Sequence, residues 1–154
     1  MAVSIKIEIK NIDKLHDALM SSPKVVGKHM QEAIERSSMM FFEQLQRIMP
    51  ADTSNMARTT KRDIFPLKAE IYPTANYAIF VHEGTRPHPV SPLHLKRWAS
   101  HKGLNPYAVA KSIAKKGTKK QPFMTDAFER VEKNLSEPFD KAIEAALNEI
   151  SEGL

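Results

Sequence analysis

The sequence predicts an α+β domain: a small, mainly antiparallel sheet packed on a long N-terminal helix and a C-terminal helix, with a basic helical insertion. Three observations carry that expectation. Val3, Ile5, Ile7 and Ile9 alternate with Ser4, Lys6, Glu8 and Lys10, the period of a strand with one buried face. Between Ser22-Pro23 and Pro50 the apolar residues recur every three to four positions, the period of an amphipathic helix. A second such stripe runs from Phe128 to Ile150, and the short apolar runs between the two suit strands. A chain of 154 residues fits one domain over residues 1–154, large enough to bury about 70% of its unfolded surface.

The elements follow in order. After the first strand, Ile12, Leu15 and Leu19 suggest a short helix with Asn11 or Asp13 as its cap. Ser22-Pro23 then starts the long helix, since serine accepts from free N–H groups and proline suits a first turn. Val26, Met30, Ala33, Ile34, Ser37, Phe41, Leu45 and Ile48 carry it to Met49, about 40 Å at about 1.5 Å per residue. Met39, Met40, Phe41 and Phe42 are consecutive and exceed one stripe. Either the helix is buried on two sides within the monomer, or Met39 and Phe42 belong to a subunit interface.

Beyond Pro50 the period changes. Ala57–Phe65 and Ala69–Pro73 read as strands joined by a turn at Pro66-Leu67-Lys68, and Asp52 before Thr53 reads as a turn cap. Tyr77 to Val81 is an apolar run too short for its period to choose between strand and helix. In residues 86–120, Leu93, Leu95, Trp98 and Ala99 mark one short helix. Tyr107, Val109, Ala110 and Ile113 mark another, starting after Asn105-Pro106 and ending at Gly117. This segment reads as an insertion, because so short a piece cannot bury its own core. The final helix meets Pro138, which predicts a kink or a restart capped by Ser136.

Charge is distributed unevenly. Residues 86–120 hold nine Lys/Arg and no Asp/Glu, whereas residues 121–154 hold three Lys/Arg and eight Asp/Glu. A basic middle and an acidic end suit nucleic-acid contact, or head-to-tail packing of identical subunits. Lys96-Arg97-Trp98 and Lys115-Lys116-Gly117-Thr118-Lys119-Lys120 offer cations for phosphates, with Trp98 or Tyr107 to stack on a base. The same residues equally suit a solvated basic surface or an acidic neighbour. No helix-turn-helix or other reading module accompanies them.

Several function classes find little support. There is no cysteine, which excludes disulfides and thiolate metal sites. His82-Glu83 lacks the second histidine of the zinc-binding helix pattern, and His88, His94 and His101 are spaced six and seven apart in a proline-rich stretch. No metal and no cofactor are expected. No serine sits in a strand-turn-helix elbow and no Gly-rich loop is present to cradle phosphates. Glu129 and Glu132 fall on an amphipathic helix, where a solvated face accounts for them. The expectation is not an enzyme. No signal peptide and no membrane span are read from the sequence, so a soluble protein is expected.

Pro50, Asp52-Thr53, the segment Tyr77-Ala78-Ile79-Phe80-Val81-His82-Glu83-Gly84-Thr85, and Gln121-Pro122-Phe123-Met124 with Ala127 form an ordered set. That set resembles the neck or tail-completion proteins of lambda-like tailed phages, the minor tail components that act in head–tail joining. The likeness spans most of the chain. It departs from the family at Ser54, where glycine is usual, at Met56-Ala57, where a leucine is usual, and in the length of segment 86–120. The resemblance implies a structural virion-assembly protein at the head–tail junction, assembled in the host cytoplasm. Its implied partners are other neck and tail proteins (head-closure, tail terminator or tube), with a homo-oligomeric ring in the virion. Tyr77, Glu83, Gly84, Thr85, Pro122 and Phe123 are its fold signature. Gly84 is expected at a positive φ or in a tight turn; Glu83 is expected to bond backbone N–H groups or to pair with Arg86 or Arg58; Phe123 is expected to pack the start of the last helix. Contacts are expected through Arg86, Lys96, Arg97, Trp98, Lys115, Lys116, Lys119 and Lys120. The alternative is a nonspecific DNA-binding module near the genome passage.

Overall fold

The computed structural model describes residues 5–7, 23–50 and 55–152. The order is β1 (Ile5–Ile7), α1 (Pro23–Ile48), α2 (Asn55–Thr59), β2 (Thr60–Phe65), β3 (Lys68–Pro73), α3 (Ala78–Glu83), α4 (Pro92–His101), α5 (Pro106–Lys116), α6 (Phe123–Val131) and α7 (Glu137–Glu152). The expected helix near 12–19, the Ser22 cap and the Asp52-Thr53 turn lie outside the described residues. So do the flanks of the first strand.

The fold is α+β, with an antiparallel sheet in the order β1-β3-β2. Central strand β3 alternates as its period requires, burying Ala69, Ile71 and Pro73. β2 and β3 are joined by the two residues Pro66-Leu67. Proline cannot take positive φ, so Leu67 takes it, at φ 53. Its amide donates to Gln31 Oε1 at 3.0 Å, fastening the turn to α1.

The chain enters β2 later than its apolar pattern predicts. Residues 55–59, expected in part as strand from Ala57, form the helical turn α2. Local hydroxyl bonding explains the difference: Thr59 Oγ1 donates to Asn55 O and Thr60 Oγ1 to Met56 O, each at 2.8 Å. Gln46 Nε2 from α1 holds Ala57 O at 2.7 Å.

Helix α1 organises the core. Its stripe of Met30, Ala33, Ile34, Ser37, Phe41 and Leu45 is buried, chiefly against α7, α6 and the sheet. The main cluster joins Phe41, Leu45 and Met49 to Met56, Ile71, Phe123, Met124 and Val131. Phe41 meets Phe128 edge to face at 6.5 Å. A smaller cluster packs Met30 and Ala33 on Ala142 of α7. In the Met-Phe run, Phe41 is buried, Phe42 packs on the main cluster, and Met39 is 43% exposed.

The last helical stretch is interrupted and restarts directly after Ser136, as Pro138 and the Ser136 cap predict. The chain leaves α6 at Val131, makes a 3-10 turn over Glu132–Asn134, and restarts at Glu137. Pro138 thereby sits in a first turn, where its missing N–H breaks no bond. The buried Ser37 hydroxyl donates to Leu135 O at 3.0 Å and ties the break to α1.

Candidate interaction site: a glycine-threonine clasp and its basic hairpin

Two helices end in the same way. α3 stops at Gly84, with φ 74 and ψ −178, and α5 stops at Gly117, with φ 74 and ψ −163. Each glycine is followed by a threonine, and the two threonines form an antiparallel bridge. Thr85 N donates to Thr118 O, and Thr118 N to Thr85 O, both at 3.2 Å. The hydroxyls of Thr85 and Thr118 lie 3.0 Å apart. Glycine is required here twice over. A Cβ on Gly117 would sit 1.9 Å from Thr85 O, and one on Gly84 would sit 2.6 Å from Thr118 O. Positive φ adds its own penalty for any larger residue.

The clasp brings the two signature segments together. Gln121 N donates to Val81 O at 3.0 Å, so the approach to α6 runs alongside α3. Phe123 is buried at the start of α6, and Pro122 precedes it at φ −77. The His82 ring meets Phe123 edge-on, with centroids 5.2 Å apart. Glu83 has a different partner from those expected: its Oε1 lies 2.8 Å from His82 Nδ1. His82 is buried, and its Nε2 has no hydrogen-bond partner among the described residues. Tyr77, at the start of α3, accepts a bond from Asn55 Nδ2 at 3.4 Å.

Residues 86–120 leave and re-enter through the clasp as a helical hairpin. Pro92 opens α4 after Ser91, and Pro106 opens α5 after Asn105, whose side chain accepts from Tyr107 N and Ala108 N. Gly103, at φ 65, turns the chain between them. The helices pack on each other, burying Ala99 and Ala110. The hairpin and α3 enclose an open cleft of about 930 Å³. Phe80, Val81, Leu95, Trp98, Val109 and Ile113 line it, together with Arg86, His88 and Lys119. No family model, curated protein or solved structure matches this chain.

Of the residues expected to make contacts, the fold brings Arg86, Trp98 and Lys119 to this cleft. Lys96, Arg97, Lys115, Lys116 and Lys120 are exposed on the hairpin and its return. Met39 and Phe42 stand apart on α1, and Phe42 serves the core. Sequence reasoning missed Phe80, which is 58% exposed on the cleft wall although it sits in an apolar run. Leu93 and Tyr107 are also exposed, at 75% and 71%. No group of His, Asp or Glu among the described residues is placed to hold a metal. No described helix is long and apolar enough to cross a membrane. The arrangement offers apolar surface set among cations that have no carboxylate within the segment. Such a surface is complementary in charge and polarity to apolar surface with acidic flanks.

Proposed function

We propose that this chain is a structural protein of virion assembly that joins head and tail in the neck of a tailed bacteriophage. It makes and breaks no covalent bond. It acts through complementary surfaces as a homo-oligomeric ring at the head–tail junction, assembled in the host cytoplasm, against head-closure, tail-terminator or tube proteins. The reading is carried by the ordered set of motifs, whose segments 77–85 and 121–124 meet through Gln121 N and Val81 O next to the clasp and bracket the insertion. A joining subunit needs such a fixed corner, because identical copies must present the same surface to a ring.

The test is charge reversal at Lys115, Lys116, Lys119 and Lys120, all exposed. Changing the four to Glu is expected to abolish joining and leave the circular dichroism and melting of the monomer near those of the wild type. Normal virion yield from the variant would overturn the proposal. The second reading, nonspecific DNA contact, draws on the nine cations of the hairpin segment and the exposed Tyr107. A phosphate-binding surface loses affinity steeply with added salt. Titration with duplex DNA at low and at physiological salt is expected to show no binding; salt-sensitive binding would favour the second reading.

A further inference from the structure

The acidic α7 packs along the N-terminal half of the longest element, α1, and the basic hairpin lies beyond its C-terminal end. α1 has 26 residues, or about 39 Å. Near its start, His29 Nε2 lies 2.7 Å from Glu149 Oε2 of α7, so the end of α7 rests there. At its far end, Pro50 shares a cavity lining with Tyr77, Trp98 and Gln121, beside the cleft. α7 runs Glu137–Glu152 with Glu137, Asp140, Glu144, Glu149 and Glu152 against the single cation Lys141. Its inner face, through Ala142 and Ala146, is buried. Asp140, Glu144 and Leu147 follow at helical spacing on the outer face; all are exposed, and Leu147 is 46% so. An apolar side chain flanked by carboxylates is what a cleft of apolar walls and free cations accepts. Within one molecule the C-terminal half of α1 lies between the two.

We propose that the cleft between α3 and the basic hairpin receives the outer face of α7 from a second copy of this chain. The contact is head-to-tail: each subunit offers one cleft and one helix, so association propagates and closes only as a ring. Leu147 enters the apolar part beside Phe80 and Trp98. Asp140 and Glu144 face the cations of the hairpin. The proposal rests on reading the hairpin as a protein-facing surface. It does not depend on the phage assignment, since it concerns the isolated chain.

The experiment uses the full chain and two variants at exposed positions. Glu144→Lys with Leu147→Lys spoils the helix face; Phe80→Glu with Lys119→Glu spoils the cleft. Trp98 is the only tryptophan and lines the cleft, so its emission reports occupancy. Light scattering at low salt is expected to show concentration-dependent oligomers of the wild type, with Trp98 emission shifting to the blue. Each variant alone is expected to be monomeric, its dissociation constant raised at least about tenfold. An equimolar mixture is expected to form dimers and nothing larger, because one intact cleft and one intact helix remain. Circular dichroism of both variants confirms that they fold. A wild type that stays monomeric, variants that still oligomerise, or a mixture that gives no dimer would overturn the proposal. So would Trp98 emission that ignores protein concentration and shifts only with added DNA. A failure of head–tail joining in the virion leaves these outcomes untouched, which separates the two proposals.

Discussion

At the clasp, two glycines do work that no other residue can. In the sequence Gly84 reads as a positive φ or a tight turn after an apolar run, and Gly117 as the end of a helical pattern. That the two helix ends face each other was not legible, because the bridge spans residues 85 to 118 and no local pattern encodes a long-range pairing. The clearest test contrasts Gly117 with Gly27, a helical glycine with nothing within 4 Å of an added Cβ. Gly117→Ala is expected to lower stability by about 2 kcal/mol or more, from left-handed strain and a backbone collision. Gly27→Ala is expected to raise it by about 0.5–1 kcal/mol through helix propensity. Thermal melts of both variants check this. A second residue-scale expectation concerns Tyr72, whose hydroxyl donates to Asp63 Oδ2 at 2.6 Å. That bond, with lesser contributions from desolvation and the charges of Asp63 and Glu70, raises the phenol above its ordinary 10.0. The fold favours the protonated form, so the stabilisation is complete below about pH 10 and is lost as pH rises through the raised value. Ultraviolet titration is expected to show a Tyr72 phase above the ordinary phenol value, and Tyr72→Phe to remove that phase.

Among the elements, legibility followed local chemistry. α5 keeps the bounds its Asn105-Pro106 start and Gly117 stop predict, because cap and terminator lie next to the helix they delimit. α1 ends one residue short of Met49, before Pro50. β2 starts later than its apolar pattern predicts because the threonine hydroxyls at 59 and 60 compete for backbone carbonyls, which apolar periodicity does not register. The break before α7 was visible through Pro138, but its place depends on Ser37, a polar residue on the buried stripe of α1. Ser37→Ala is expected to cost about 1–3 kcal/mol, since Leu135 O loses its donor in a dry setting. A denaturant titration reads it; an unchanged midpoint would mean that the break is held by packing alone.

Across the whole molecule, charge divides into a basic pole at the clasp and an acidic face on α7. The count of charges was plain in the sequence. Their separation was not, because it depends on α7 running back along α1 so that Glu149 meets His29. The cleft was equally hidden: its walls come from α3, α4 and α5, and nothing in the apolar run from Tyr77 to Val81 marks Phe80 as exposed. The joining role proposed above makes a direct claim on the virion. The decisive measurement deletes the gene from a genome that carries it, then examines the lysate by electron microscopy and infectious titre. Separate heads and tails with lost titre are expected, restored by the wild-type gene in trans and not by the quadruple lysine-to-glutamate variant. Joined, infectious particles at unchanged titre would contradict the account.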